Sequence, residues 1–299
     1  MNNQEQSNQN VTIGAPPKIS EFHRGIRVMF GRKVVLFGSI LIFIFLFISA
    51  FAPFISPYNP YDQNLTQALQ QPSSQNLLGT DAFGRDTFSR LLYGARISLM
   101  VGVVAVAIAS IAGIFLGLLA GYYGGWIDNI IMRVMDTLMA LPPIVLMLAI
   151  AAALGGGLTN IMISVGIGMI PSYCRLMYGQ IRTLKENDYI IAAAVIGASG
   201  PRVMMRHLLP NAFPPLIVLI TLNMGTAILM EATLSFIGIG ISPPTAAWGS
   251  MINDGYRYLL SNPILSFAPG VAILLVVLAF NLVGDGLRDA LDPRLRGTF

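Results

Sequence analysis

Long apolar segments separated by short polar ones make up most of this chain. The first segment, Val34 to Phe54, has about 21 residues, which is roughly 30 Å as an α-helix and enough to cross the hydrocarbon core of a bilayer. Further apolar segments cover residues 97–121, 130–154, 160–181, 212–234 and 265–283. The pattern predicts an all-α polytopic membrane protein with six transmembrane helices.

The placement of basic residues predicts the orientation of these helices. Five of them precede the first span and should hold its start in the cytoplasm: Lys18, Arg24, Arg27, Arg32 and Lys33. With six spans, both termini are then predicted to be cytoplasmic. Of the 18 lysines and arginines, 14 fall inside and four outside: Arg85, Arg90, Arg96 and Arg257. Three of those four lie together before the second span, against the positive-inside rule, which nearby acidic residues do not relax.

The predicted spans divide the chain into a tail, a first helix, a loop and a core. The divisions are a cytoplasmic tail 1–33, a transmembrane helix 34–54, an extracytoplasmic loop 55–96, a core 97–288 and a cytoplasmic tail 289–299. The core holds five spans, a cytoplasmic loop 186–211 and an outer loop 235–264. Within loop 55–96, Phe88, Leu91 and Leu92 share one helical face, which predicts a short amphipathic helix on the membrane surface.

Three local patterns inside the spans predict how the helices pack. Small residues recur every fourth position in the second span, at Ala105, Ala109, Gly113, Gly117 and Gly121. Such a stripe permits close helix packing, within the subunit as the favoured interpretation or against a partner as the alternative. In the third span, Pro142-Pro143 predicts a kink or an unwound turn. Arg133 and Asp136, three residues apart, are predicted to pair.

Composition excludes several classes of function. The chain is 55% hydrophobic and 11% charged, far from the charged fraction of about a quarter in soluble domains. A scattered net charge of +4 does not suit nucleic acid, and a single cysteine excludes an internal disulfide. There is no phosphate-binding loop, no HExxH, no GxSxG and no set of metal ligands. The sequence therefore predicts neither an enzyme nor a cofactor site, so energy for active transport must come from a partner.

The segment Glu186–Asn211 carries too much charge to lie in lipid, although apolar spans flank it. It predicts two short helices: the first covers Tyr189 to Ala198, Ser199-Gly200 then offers a cap, and Pro201 suits a first helical position. Pro210 should end the second helix. On these residues alone, a lever that receives a push from a soluble partner and a solvated loop with incidental charges are equally supported.

Three motifs resemble one transporter family. Ala192-Ala193, Gly197 and Leu209-Pro210 have the spacing of the EAA loop of ABC-importer permeases, the cytoplasmic coupling helix that seats in a groove of the ATPase. Ile191 stands where that motif has glutamate, so contacts of that glutamate are not carried over. Residues 78–102 (LGTDAFGRDTFSRLLYGARISLMVG) and 235–252 (SFIGIGISPPTAAWGSMI) resemble the C-type subunit of dipeptide, oligopeptide and nickel permeases.

The resemblance implies a type I ABC importer permease fold in the cell membrane. It also implies a second homologous permease subunit, two ATPase subunits that bind ATP and Mg, and an extracytoplasmic solute-binding protein. The residues expected to couple to the ATPase are Tyr189, Ala192, Ala193, Gly197, Ser199, Arg202, Arg206, His207, Leu209 and Pro210.

Four further residues are expected to act in or above the membrane. Pro243, Pro244 and Trp248 could contact the binding protein, with loop packing as the alternative. Glu231, costly in lipid, should face protein or a water-filled path, where it either meets a substrate's amino terminus or has a structural role.

The expected cargo is di- or oligopeptides, with nickel or opines as the alternative for the same subunit type. A self-sufficient secondary transporter is the rival class, but it would need coupling ions and internal repeats, and no repeat is seen.

Overall fold

The computed structural model describes residues 32–241 and 243–291. The predicted N-terminal tail, apart from its last two residues, and residues 292–299 of the C-terminal tail lie outside that part of the chain. Helices dominate the described residues, and they are α1 Lys33–Ile55, α2 Thr87–Tyr123, α3 Gly125–Met139, α4 Pro143–Leu154, α5 Leu158–Leu184, α6 Asp188–Val195, α7 Gly200–Val203, a π turn Met204–Leu208, α8 Leu209–Ile237, α9 Trp248–Tyr256 and α10 Ile264–Leu291. A 3₁₀ turn, Leu65–Gln67, lies in the loop after α1.

Five helical segments of the described chain are long and apolar enough to cross a membrane: α1, α2, α5, the run from α7 to α8, and α10. The pair α3 and α4 makes a sixth span if it counts as one, although its two halves meet at 94°. The bend lies at Pro142-Pro143, which confirms the predicted interruption. Neither proline can donate a backbone hydrogen bond, so α3 ends at Met139 and Pro143 opens α4.

The centre of the bundle is the contact between α2 and α5. A Cβ at Gly113 would lie 2.5 Å from the Cβ of Tyr173, and a Cβ at Gly117 would lie 2.4 Å from the carbonyl oxygen of Cys174. Ala105 and Ala109 are fully buried in the same core. The stripe of small residues therefore packs within the subunit, which confirms the favoured interpretation.

The prediction of a separate surface helix before the second span is wrong. Asp86 caps α2 by accepting the Ser89 N–H at 2.7 Å, and the helix then runs without interruption to Tyr123. No proline occurs between these ends to stop it. Leu92, expected to face lipid, is buried instead.

The ion pair predicted within α3 is also wrong. Asp136 pairs with Arg175 of α5 instead of Arg133. Nearby, the Tyr178 hydroxyl donates to Asp128 at 2.9 Å. These contacts tie α3 to α5, so the acidic residues of α3 join two helices instead of stabilising one.

Candidate functional site

The segment Glu186–Asn211 folds around a groove of about 550 Å³, called here the α6–α7 groove. Its lining residues come from α6, the turn that follows, α7 and the π turn. They are Tyr189, Ala192, Ala193, Ile196, Gly197, Ala198, Arg202, Arg206 and His207. Seven of the ten residues expected to couple to an ATPase line this groove; Ser199, Leu209 and Pro210 do not.

One face of α6 forms the apolar wall of the groove. Tyr189, Ala192, Ala193 and Ile196 recur at helical spacing, which places them on the same side. On the inner side, Ile190 belongs to the hydrophobic core of the bundle and anchors the helix. Ile196 is 84% exposed, so the wall presents an uncovered apolar side chain at the surface.

Gly197 ends α6 in a left-handed turn. Its φ is +82°, and the Ala198 N–H donates to the Ala193 carbonyl oxygen at 3.0 Å, the pattern of a Schellman C-cap. A glycine without a Cβ could also permit close approach of another surface. Within the described chain no atom lies within 4 Å of a Cβ built there, so the fold itself requires Gly197 for its backbone conformation.

The second wall is formed by α7 and the π turn. Pro201 lies in the first turn of α7, as expected, and Ser199 occupies the N-cap position without a side-chain capping bond. Arg202 and Arg206 are both exposed on this wall, one helical turn apart. The groove therefore combines an apolar side with a basic side, and an acidic partner with an apolar knob would complement it.

The prediction that Pro210 ends the second helix is wrong. The chain is helical from Gly200 to Ile237, because the π turn adds one residue to the helical repeat and accommodates a proline that has no N–H. The Leu209 N–H donates to the Met204 carbonyl, and the Asn211 amide donates to the His207 carbonyl at 2.6 Å. The basic wall of the groove is therefore continuous with the spanning helix α8.

The groove is attached to the inner end of α2. The Lys185 Nζ donates to the Tyr122 carbonyl oxygen at 2.7 Å. A Cβ at Gly200 would lie 3.2 Å from the Tyr122 ring, so α7 rests against that side chain. Sequence reasoning missed both contacts, since Tyr122 reads as an ordinary residue of a loop.

At the opposite end of α2, residues 56–86, 238–241 and 243–263, which include α9, form a layer called here the outer layer. Trp248 is 1% exposed and lies in the core of this layer, which supports loop packing, the alternative given for it, over contact with a binding protein. Its indole N–H donates to the Leu91 carbonyl oxygen at 3.0 Å, and its ring meets Phe45 edge-on. Pro243 and Pro244 are exposed, and their contact with a binding protein stays a prediction.

The outer arginines that opposed the positive-inside rule are largely neutralised by ion pairs. The Arg85 Nε lies 2.7 Å from the Asp81 carboxylate and the Arg90 Nε 3.4 Å from it, and both arginines are buried. Asp254 of α9 lies 4.0 Å from Arg85, and burial raises the pKa of the Asp254 carboxyl. The sequence signal was the alternation of acid and base in TDAFGRD, which we did not interpret as a buried cluster.

Glu231 is fully buried within the subunit. The Ser235 hydroxyl donates to its carboxylate at 2.8 Å and accepts the Ile241 N–H at 3.3 Å. Glu231 thus faces protein, as one of the two expected surroundings, and it fixes the turn by which α8 enters the outer loop. This geometry supports the structural role over contact with a solute.

The fold of this helical bundle is similar to that of chains in solved structures of an ABC transporter. The chain aligns with two inward-facing crystal forms of the MetNI methionine ABC transporter, with TM-scores of 0.54 and 0.55 and identities of 19% and 20%. The alignments cover 67% and 68% of this chain and 96% and 97% of the other chains. At this identity the likeness establishes the fold.

The family follows from sequence comparison. The model described as "Binding-protein-dependent transport system inner membrane component" matches residues 113–297, and that of the "N-terminal TM domain of oligopeptide transport permease C" matches residues 20–72. The chain belongs to the family of binding-protein-dependent transport system inner membrane components.

Curated relatives are similar over nearly the whole chain. The dipeptide transport system permease protein DppC of Alkalihalophilus pseudofirmus is 43% identical over 93% of this chain and 91% of its own length. The probable D,D-dipeptide permease DdpC of Escherichia coli K12 is 43% identical over 89% and 90%. The glutathione permease GsiD of Pectobacterium atrosepticum is 41% identical over 89% and 88%.

Membership of the family settles the general role of the chain. It is a multi-pass inner-membrane permease subunit of an ABC importer, and it is not an enzyme, because a separate subunit hydrolyses ATP. Its partners include an ATPase and a substrate-binding protein. Among the described residues, no group of three or more histidine, cysteine or acidic residues could hold a metal ion.

Proposed function

We propose that this chain is one of two related permease subunits in an importer of di- or oligopeptides, and that the α6–α7 groove receives one of two ATPase subunits. Those subunits bind ATP and Mg, and this chain supplies half of the translocation path. The peptide cargo is supported by the relatives, whose names specify dipeptides, D,D-dipeptides and glutathione.

The observation that carries the coupling proposal is the convergence of seven predicted residues on one groove. They are separated by up to 18 positions in the sequence, and only the Gly197 turn brings the two walls together. An exposed apolar residue beside two exposed arginines suits a protein partner, because protein interfaces have an apolar centre and are enriched in arginine.

Charge supports placing the groove, and with it both termini, in the cytoplasm. Arg182, Lys185, Arg202 and Arg206 are exposed at the groove end of the bundle. At the other end Arg85 and Arg90 are buried against Asp81. Arg96 and Arg257 are exposed toward that end, so the groove end carries four exposed basic residues against two, as the positive-inside rule expects of a cytoplasmic face. The exposed Pro243-Pro244 turn then faces the binding protein.

Substitution of Gly197 tests the coupling proposal. Gly197→Arg should leave the subunit in the membrane and abolish both transport and association with the ATPase, because a long charged side chain enters the groove and the left-handed turn is strained. Association is measured by co-purification of the complex, and transport by uptake of a labelled peptide.

Two controls separate these causes. Gly197→Asn tolerates the left-handed conformation and should retain most of the association. Thr183→Arg places the same charge at an exposed position of α5 outside the groove and should be silent. Normal uptake in the Gly197→Arg variant would defeat the coupling proposal.

A further inference from the structure

The helix α2 is long enough to join the outer layer to the α6–α7 groove. Its 37 residues span about 55 Å at 1.5 Å per residue, whereas the hydrocarbon core of a bilayer is about 30 Å thick. It contains no proline, and it packs closely along α5 through the stripe of small residues. It is therefore a stiff element with one end in each aqueous layer.

Arg90 fastens the outer end of α2 to the exposed Pro243-Pro244 turn. One guanidinium nitrogen, Nη1, donates to the carbonyl oxygen of Pro60 at 3.1 Å and to that of Pro244 at 3.3 Å. The Nε of the same group pairs with Asp81. A single buried side chain thus joins three segments of the outer layer in the first turn of α2.

Trp248 adds a second fastening at the next residue, Leu91, and one turn further along at Gly94. Its indole N–H bonds the Leu91 carbonyl, and its ring lies so close to Gly94 that a Cβ there would be 2.5 Å from it. The segment that carries the exposed prolines is therefore bound to α2 at two points. Arg90 binds Pro244 directly, and Trp248, the first residue of α9, binds Leu91.

Lys185 and Tyr122 fasten the inner end. The Lys185 ammonium bonds the carbonyl of Tyr122, and the Tyr122 ring supports Gly200 at the start of α7. Lys185 stands between α5 and α6, so both walls of the groove are connected to the last turn of α2.

We propose that α2 relays the engagement of the binding protein at the Pro243-Pro244 turn to the ATPase in the α6–α7 groove, with Arg90, Trp248 and Lys185 as positioning residues. The inference rests on the proposed function, which supplies the partner at each end. Because a close-packed helix shifts as a unit, a small displacement at one fastening reaches the other. None of the three residues lines the groove or is exposed at the proline turn.

The test uses the complete importer reconstituted in vesicles, and it compares ATPase rates with and without peptide-loaded binding protein. Arg90→Lys keeps the charge but loses the planar fork that reaches two carbonyls. Lys185→Met removes the ammonium and keeps the chain length. Each should lower the stimulation ratio about fivefold or more, the lower end of usual coupling factors, with basal ATPase rate and subunit association unchanged.

The matched controls make the same substitutions at exposed residues that bind neither the Pro244 segment nor the groove. Arg96→Lys lies on the exposed face of α2, and Lys33→Met lies at the exposed start of α1. Both should keep the ratio of the unmodified protein. If Arg90→Lys fails to assemble, Trp248→Phe serves in its place, since it removes only the bond to Leu91 and keeps most of the ring volume.

The double variant tests whether the two losses of ATPase stimulation arise in the same helix, α2. If α2 is the relay, Arg90→Lys with Lys185→Met loses no more stimulation than the worse single variant, whereas independent effects multiply. A stimulation ratio unchanged in either single variant, or multiplied losses in the double, overturns the inference. Such a result leaves the groove proposal intact, because that proposal is judged by ATPase association in the Gly197 variants.

Discussion

Single buried polar residues fix the position of loop segments in the outer layer of this permease. Glu231 holds Ser235, which in turn holds the backbone of Ile241 where α8 passes into the outer loop. The second oxygen of the Glu231 carboxylate has no hydrogen-bond partner among the described residues. Burying such a group is costly, so its one strong bond must matter for the position of the loop.

Glu231 therefore gives the first prediction at this scale. Glu231→Ala should lower the stability of the subunit by about 1–3 kcal/mol, because the Ser235 hydroxyl and the loop lose their anchor. Glu231→Gln keeps an acceptor oxygen of the same shape and should retain peptide uptake. Thermal unfolding in detergent and uptake in vesicles are measured on both variants. Lost uptake in a fully stable Glu231→Gln would instead indicate contact with the solute.

At the scale of the helices, the close contact between α2 and α5 forms the centre of the bundle. Gly113 and Gly117 allow the two helices to meet nearly backbone to backbone, which explains why Tyr173 and Met177 can be fully buried. In a membrane, where lipid is as apolar as the helices, such packing is a principal source of association.

Gly113→Ala tests that contact. The added Cβ would lie 2.5 Å from the Tyr173 Cβ and 2.7 Å from the Ile170 carbonyl oxygen, so the helices must separate. We expect a loss of about 1–3 kcal/mol, as for other overpacked cores, seen as a lower unfolding temperature. Gly179→Ala in α5 is the matched control, because its Cβ meets no atom within 4 Å; it should be neutral or slightly stabilising. Equal unfolding temperatures for the two variants would contradict the packing account.

At the scale of the whole molecule, the sequence predicted the spans, the break at Pro142-Pro143 and the family, because length, hydropathy and motif spacing are local properties. It misjudged features that depend on tertiary context. The π turn carries the helix past Pro210, where the proline was predicted to end it. The burial of Trp248, which the sequence left open, depends on contacts distant in the sequence, such as its bond to Leu91. Arg85 and Arg90 oppose the positive-inside rule by their position in the sequence, but in the fold they lie buried beside Asp81 and Asp254.

In the candidate site, too, local features could be predicted from the sequence, whereas features that depend on tertiary contacts could not. Helical spacing was sufficient to place Tyr189, Ala192 and Ala193 on one face. The first helix, predicted to extend to Ala198, instead ends at Val195, because Gly197 turns the chain in the left-handed conformation. Ile196 was missed, although it is the most exposed apolar side chain of the groove. Periodicity identifies which residues share a face, but it does not reveal which face the bundle leaves uncovered.

The central claim, that the α6–α7 groove seats the ATPase on the cytoplasmic side, is tested most directly by thiol accessibility. Ile196→Cys is made in a Cys174→Ser background and labelled in vesicles that hold the permease pair with and without its ATPase subunits. Leu260→Cys, fully exposed in the outer layer, is the control. We predict that Ile196→Cys labels only from the cytoplasmic side and is protected when the ATPase is bound, while Leu260→Cys labels from the other side in both states. Equal labelling of Ile196→Cys with and without the ATPase, or labelling from the outside, would contradict the account.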